Sequence, residues 1–209
     1  MPYTIDSTQL YNKDVQQIGT TCQNIGRLAK NKLPLPPGFC ITAQAFHHFI
    51  HSTNLNNQIR EHIKQLDPQQ PEQINQVSKQ IKNLIQKSAF PTDLETECIQ
   101  KYQQLCSNFP SGILCLSLSC TDQHLDSKLA HHNQPLYTSP EQDFTKIIVS
   151  FWASLYDPQS LFLSAEGAID LLHTGVAIVV QYVPIPDSSG IMFTSSPSND
   201  PETMIIESV

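Results

Sequence analysis

Glycine, charge and long apolar runs are all scarce in this chain, and each shortage removes a class of function. Seven glycines in 209 residues leave few places for a phosphate-cradling loop. No Gly-x-Gly-x-x-Gly, Walker-type or Gly-x-Ser-x-Gly sequence occurs, which sets aside the dinucleotide, P-loop and serine-hydrolase signatures. Charged residues make up only 15%, and 12 basic against 19 acidic side chains give a formal charge of −7. That balance argues against a nucleic-acid partner, since phosphate binding needs a basic face. The longest strongly apolar stretch, around Gly175 to Val183, is far short of the roughly 20 residues that span a bilayer. The N-terminus, MPYTIDSTQL, has neither a basic nor an apolar leader region. The expectation is a soluble cytoplasmic protein with no membrane partner.

Six cysteines stand at 22, 40, 98, 106, 115 and 120, none in a Cys-x-x-Cys spacing. Cys98 and Cys106, eight residues apart on an expected helix, would lie about 12 Å from each other, too far for a disulfide. Cys115 and Cys120 fall on opposite faces of an expected strand. The cysteines therefore read as buried free thiols in a reducing compartment.

What the chain does have is amide: 21 Gln and 11 Asn. The Gln- and Asn-rich segment from Asn54 to Lys87 still carries helical spacing, in Ile59, Ile63 and Leu66 and again in Ile74, Val77, Ile81, Leu84 and Ile85. Asp67-Pro68 and Gln70-Pro71 divide it into two helices. Thr92-x-x-Glu95 has the form of a capping box opening a third. Helices also fit Cys22–Lys30 and Ala43–His51, the latter capped by Thr42. Proline at the first helical position marks further starts at Ser139-Pro140 and Asp157-Pro158. Strand patterns appear at Ile113–Ser119, Gly175–Val183, Gly190–Thr194 and Thr203–Glu207. Pro184 and Pro186 exclude a continuous strand between the second and third, and Asp187-Ser188-Ser189-Gly190 is turn composition, so these two are expected to pair as antiparallel neighbours. The pattern is α+β.

His47 and His51 have the i, i+4 spacing of a helical metal pair, but no third ligand is identifiable, and Phe46, Phe49 and Ile50 explain the helix as a packing element. Leu33-Pro34-Leu35-Pro36-Pro37 reads either as a polyproline ligand or as a rigid, buried connection into Phe39-Cys40-Ile41.

Five segments, in order, resemble one family. LPLPPGFCITAQAFHHFI (33–50), LCLSLSCTDQHLDS (114–127), FWASLYDPQSLFL (151–163), VAIVVQYVPIPDSSGIMFTSSP (176–197) and TMIIESV (203–209) resemble successive motifs of the ATP-binding domain of phosphoenolpyruvate synthase and pyruvate phosphate dikinase. The second is similar to the family's VAVRSSATAEDLPDAS. The resemblance implies a truncated ATP-grasp-like domain over residues 1–209, with a helical insertion at about 54–107. It implies ATP between two sub-domains, and phosphoryl transfer to a histidine on a separate swivelling domain.

Carried over residue by residue, the resemblance implies a divided site. The lysine of the family's Gly-Gly-Lys aligns with Thr21, and the arginine of VAVRSSAT with Ser117. The loop that covers the triphosphate aligns with the stretch containing His131 and His132. Gln181 keeps the hinge glutamine, with Tyr182 and Val183 offering backbone to an adenine; Thr194 and Glu207 keep a threonine and an acid. The adenine half is retained and the phosphate half has lost its two cations. The downstream Mg²⁺ ligands of the family lie past Val209, so Mg²⁺ is expected only if missing segments are supplied. The expected function is a degenerate adenine-nucleotide-binding module. The alternatives are the N-terminal part of a working phosphotransferase, completed by further segments or a partner chain, and a non-catalytic protein-interaction module.

Overall fold

A computed structural model of the chain describes residues 2–109, 113–123, 125–126, 136–138, 143–184, 187–195 and 203–208. Its centre is a five-stranded antiparallel sheet of order β1-β2-β5-β3-β4. The strands are β1 (Thr4–Asp6), β2 (Gly38–Ile41), β3 (Ile113–Cys120), β4 (Leu136–Thr138) and β5 (Val176–Val183). β3 and β5 pair along their whole lengths, from Ile113 opposite Val183 to Cys120 opposite Val176. A separate two-stranded ribbon joins β6 (Gly190–Phe193) to β7 (Ile205–Ser208). A 3-10 helix (Ser7–Asn12) precedes α1 (Val15–Lys30), followed by α2 (Ala43–Ser52), α3 (Leu55–Lys64), α4 (Pro71–Lys87), α5 (Thr92–Asn108), α6 (Phe144–Ser154) and α7 (Pro158–Ala165).

Alternation along the strands decides what each face of the sheet does. Leu114, Leu116 and Leu118 of β3 share a face with Phe39, Ile41, Ile178 and Val180, and all are buried in the main core beneath the helices. At the heart of that core, Trp152 of α6 stacks on Phe90 at 5.7 Å and meets Phe49 at 5.1 Å and Phe46 at 5.9 Å. The opposite face is only half covered. Its Ile5, Cys40, Ala177 and Val179 pack under Leu10, Ile18 and Cys22 of the 3-10 helix and α1. Over the other half Cys115, Ser117, Gln181 and Val183 are half-buried and Ile113 is exposed.

Most expected helices form. Thr42 caps α2 through a bond from the Ala45 N–H to its hydroxyl, and Pro158 opens α7. Asp157 makes no cap bond because its carboxylate pairs with Lys82. Four expectations are corrected. The Gly175–Val183 and Gly190–Thr194 segments do not pair: β5 has β2 on one edge and β3 on the other, so no edge is left for β6, which pairs with β7 instead. The Thr92 capping box does not form, because Pro91 is the N-cap and Thr92 is already helical, its carbonyl accepting from Thr96 Oγ1 at 2.7 Å. Pro34, Pro36 and Pro37 lead into β2 as expected but are exposed rather than buried. The helix expected from Cys22 begins at Val15 and is broken by Gly19. The expected start at Ser139-Pro140 lies outside the described residues.

Gly19 has φ +70°, and a β-carbon there would lie 2.2 Å from the carbonyl oxygen of Ser119. Gly167, just past α7, has φ +72° but open space around it. Gly19→Ala should therefore cost about 2–5 kcal/mol, combining left-handed strain with a backbone collision. Gly167→Ala should cost only about 1–2 kcal/mol. Chemical denaturation of the two variants checks the difference; equal losses would show that the contact with Ser119 relaxes freely.

Candidate functional site

Of the sequence-derived residues, Ser117, Gln181 and Val183 lie on the sheet's second face, and Thr21 lies on α1, which covers part of it. Along β3, Ser119, Ser117, Cys115 and Ile113 point to this face, opposite Ala177, Val179, Gln181 and Val183 of β5. Ser119 is fully buried, Ser117, Cys115, Gln181 and Val183 are half-buried, and Ile113 is exposed. The strip runs about 20 Å from Ser119 to Ile113, at the usual rise per strand residue.

One end of the strip is built by the break in α1. The Ile18 carbonyl and the Cys22 N–H flank the left-handed Gly19, and Ser119 serves both: its Oγ donates to Ile18 O at 2.7 Å and accepts from Cys22 N at 3.0 Å. That fastening holds Thr20 and Thr21 against the end of β3. Thr20 Oγ1 donates to the Cys120 carbonyl at 3.4 Å, and Thr21 Oγ1 donates to Asp126 Oδ2 at 3.1 Å. The other carboxylate oxygen of Asp126 accepts from the Cys120 N–H at 2.6 Å. Thr21 and Ser117, the two positions that the resemblance aligns with the family's lysine and arginine, fall toward the same end: Ser117 is two residues along β3 from the Ser119 fastening, about 7 Å.

Asp126 was not singled out by sequence, and it changes the electrostatics of this end. It is buried, and no lysine or arginine bonds to it among the described residues. Burial holds its carboxyl above the usual carboxylate range, against the pull of the bonds from Cys120 N–H and Thr21. This end of the strip presents the hydroxyls of Thr21 and Ser117 and the carboxyl group of Asp126.

At the opposite end Gln181 faces the strip beside Cys115. Tyr182 points to the main-core side, its ring 4.6 Å from Phe109, and its N–H donates to the Pro37 carbonyl at 2.8 Å. Antiparallel neighbours alternate the edge to which they bond, so Gln181 and Val183 turn their backbone groups toward β3. The backbone of Tyr182 thus faces β2, and that of Gln181 and Val183 faces β3.

The remaining residues are not brought to the strip by any described strand pairing. Thr194 follows β6 and Glu207 lies on β7 opposite Ile191, both exposed. His131 and His132 lie outside the described residues. His47 and His51 sit on α2, and no cluster of three or more His, Cys, Asp or Glu suited to a metal occurs among the described residues. No described helix is long and apolar enough to cross a membrane.

The family described as pyruvate phosphate dikinase, AMP/ATP-binding domain, matches residues 15–209. A probable phosphoenolpyruvate synthase of Methanocaldococcus jannaschii is 29% identical over 204 residues, covering 95% of this chain and 17% of that protein. One from Methanothermobacter thermautotrophicus is 28% identical over 203 residues, covering 95% of this chain and 30% of that protein. The phosphoenolpyruvate synthase of Pyrococcus furiosus is 23% identical over 235 residues, covering 94% of the chain and 29% of the enzyme. The chain spans less than a third of the length of each of these relatives.

Asp126 yields a pH test. A carboxyl whose folded pKa is raised favours the fold below its unfolded pKa and loses that advantage as pH rises through the folded value. Asp126→Asn keeps an acceptor for Cys120 N–H and removes the buried charge. The variant should melt above the parent at pH 7–8, and the gap should close as pH falls toward 4. Melting curves across that range check it; a gap that widens on acidification would mean that the site favours the carboxylate.

Proposed function

The chain belongs to the pyruvate phosphate dikinase AMP/ATP-binding domain family, and on that footing we propose that it is an adenine-nucleotide-binding module whose phosphate end no longer supports phosphoryl transfer. The observation that carries the reading is the hydrogen bond from Thr21 to the buried carboxyl group of Asp126. Phosphoryl transfer depends on positioning and on neutralising developing negative charge. Each lost cation removes a charge-assisted hydrogen bond of about 1.5–3 kcal/mol, so losing both costs about 10²–10⁴ in affinity for a triphosphate. Asp126 adds a group that opposes phosphate outright. The adenine end keeps the Gln181 side chain on the strip, an uncharged group suited to a base.

In this reading the site is of the ATP-grasp kind. The β6–β7 ribbon begins a second lobe, and Thr194 and Glu207 reach the nucleotide only when that lobe closes over the strip. Mg²⁺ would need oxygen ligands besides the Asp126 carboxyl group, supplied by further segments or a partner chain.

A second reading is favoured by the ribbon itself. Ile191, Met192, Phe193, Met204 and Ile206 are 46% to 67% exposed, and two apolar strands alone are marginal in water. Further polypeptide, in the same chain or a partner, would cover them, and the module would then be one part of a phosphotransferase.

Charge restoration separates the readings. Thr21→Lys with Ser117→Arg should raise ATP affinity at least tenfold while leaving adenosine affinity nearly unchanged. Adding Asp126→Asn should raise ATP affinity again, because a lysine at position 21 otherwise pairs with Asp126. Titration calorimetry on the parent, double and triple variants reads this out; an unchanged ATP affinity would remove the electrostatic argument. The unaltered chain, incubated with Mg²⁺ and ATP labelled at the β- or γ-phosphate, should take up no label. Phosphohistidine on the chain would favour the working-enzyme reading.

A further inference from the structure

We propose that Cys22 and Cys40 form a thiol pair that closes to a disulfide under oxidising conditions, fixing the part of α1 just past its Gly19 break to β2. Their sulfurs are 3.1 Å apart, both side chains are fully buried, and the residues stand eighteen positions apart in sequence. Covalent bonding requires the sulfurs to approach by only about 1 Å. No other pair of sulfurs is in contact among the described residues, so the partner choice is unambiguous.

The position gives the bond a consequence. Cys22 directly follows Thr20 and Thr21, and its N–H is the one held by Ser119. Cys40 lies on the same sheet face, between Ile5 of β1 and Val179 of β5. A Cys22–Cys40 disulfide therefore ties the floor of the strip's Thr21 end to the centre of the sheet. It would hold that end in place even where the hydrogen bonds to Ser119 and Asp126 open.

With a low-molecular-weight disulfide as oxidant, the chemistry is two thiol–disulfide exchanges. One cysteine thiolate attacks the oxidant's sulfur–sulfur bond, giving a mixed disulfide and one released thiolate, which takes up the proton. The second cysteine thiolate then displaces the other half of the oxidant. The two protein thiols are oxidised by two electrons, and the oxidant leaves as two thiols. Burial pushes the Cys40 thiol well up, so the folded resting state does not react directly. Exchange proceeds when α1 lifts from the sheet, or during folding itself.

The test uses folding to remove the access barrier. The whole chain is unfolded, then refolded in a glutathione buffer containing the oxidised form. Remaining thiols are alkylated and the soluble monomer is mapped by tryptic digestion and mass spectrometry. The expected product joins the peptide 14–27 to the peptide 33–60, two hydrogens lighter than the sum, with the other four cysteines alkylated. Its Tm should exceed that of the reduced chain by about 5–10 °C. Cys22→Ala and Cys40→Ala should each abolish both the cross-link and the shift. Soluble refolded protein with six alkylated cysteines, or a bridge to Cys98, Cys106, Cys115 or Cys120, would overturn the proposal. Mapping the unaltered chain decides the matter even where a variant fails to fold.

Discussion

One serine hydroxyl holds the functional end of this molecule together. Ser119 lies under the break in α1, accepting from the Cys22 N–H and donating to the Ile18 carbonyl. Those are the backbone groups beside the left-handed residue, and in the interior each would be costly to leave unpaired. Gly19 makes the arrangement possible, because any β-carbon would run into the Ser119 backbone. The position of Thr21, its bond to Asp126 and the approach of Cys22 to Cys40 all follow from this fastening.

The sheet divides the remaining work. Along its central strands one face is apolar and packs against the core that holds the aromatic cluster around Trp152, so those side chains are committed to packing. The other face is covered by α1 and the 3-10 helix at one end only, leaving the strip along β3 and β5 with half-buried, mostly uncharged side chains. Such a surface suits a base and a ribose better than a triphosphate. The chain belongs to the family, and the end of the strip proposed for phosphate carries the hydroxyls of Thr21 and Ser117 and the carboxyl group of Asp126.

Local signals were legible in the sequence, and long-range ones were not. Helical periodicity located α3 and α4 despite their amide-rich composition, and Thr42 was read as a cap from the residues that follow it. The order of five motifs pointed to the family, and carrying its lysine and arginine over singled out Thr21 and Ser117, which lie toward the same end of β3. What the sequence could not disclose was which strand occupies each edge of β5. Pro184 to Gly190 looked like a hairpin turn, yet β2 and β3 had already claimed both edges. Asp126 and the Cys22–Cys40 pair escaped for the same reason. Each contact joins residues far apart in the chain, with no short motif to announce it. Thr92 misled in the opposite way: the local pattern was present, but Pro91 took the cap.

The central claim is that adenine recognition has outlived phosphate recognition, and direct binding to the unaltered chain tests it most simply. Titration calorimetry with adenosine, AMP and ATP, each with and without Mg²⁺, measures the contribution of every added phosphate. The account predicts that ATP binds no more tightly than adenosine and that Mg²⁺ makes no difference. ATP binding at least tenfold tighter than adenosine, a gain of about 1.4 kcal/mol, and strengthened further by Mg²⁺, would contradict it.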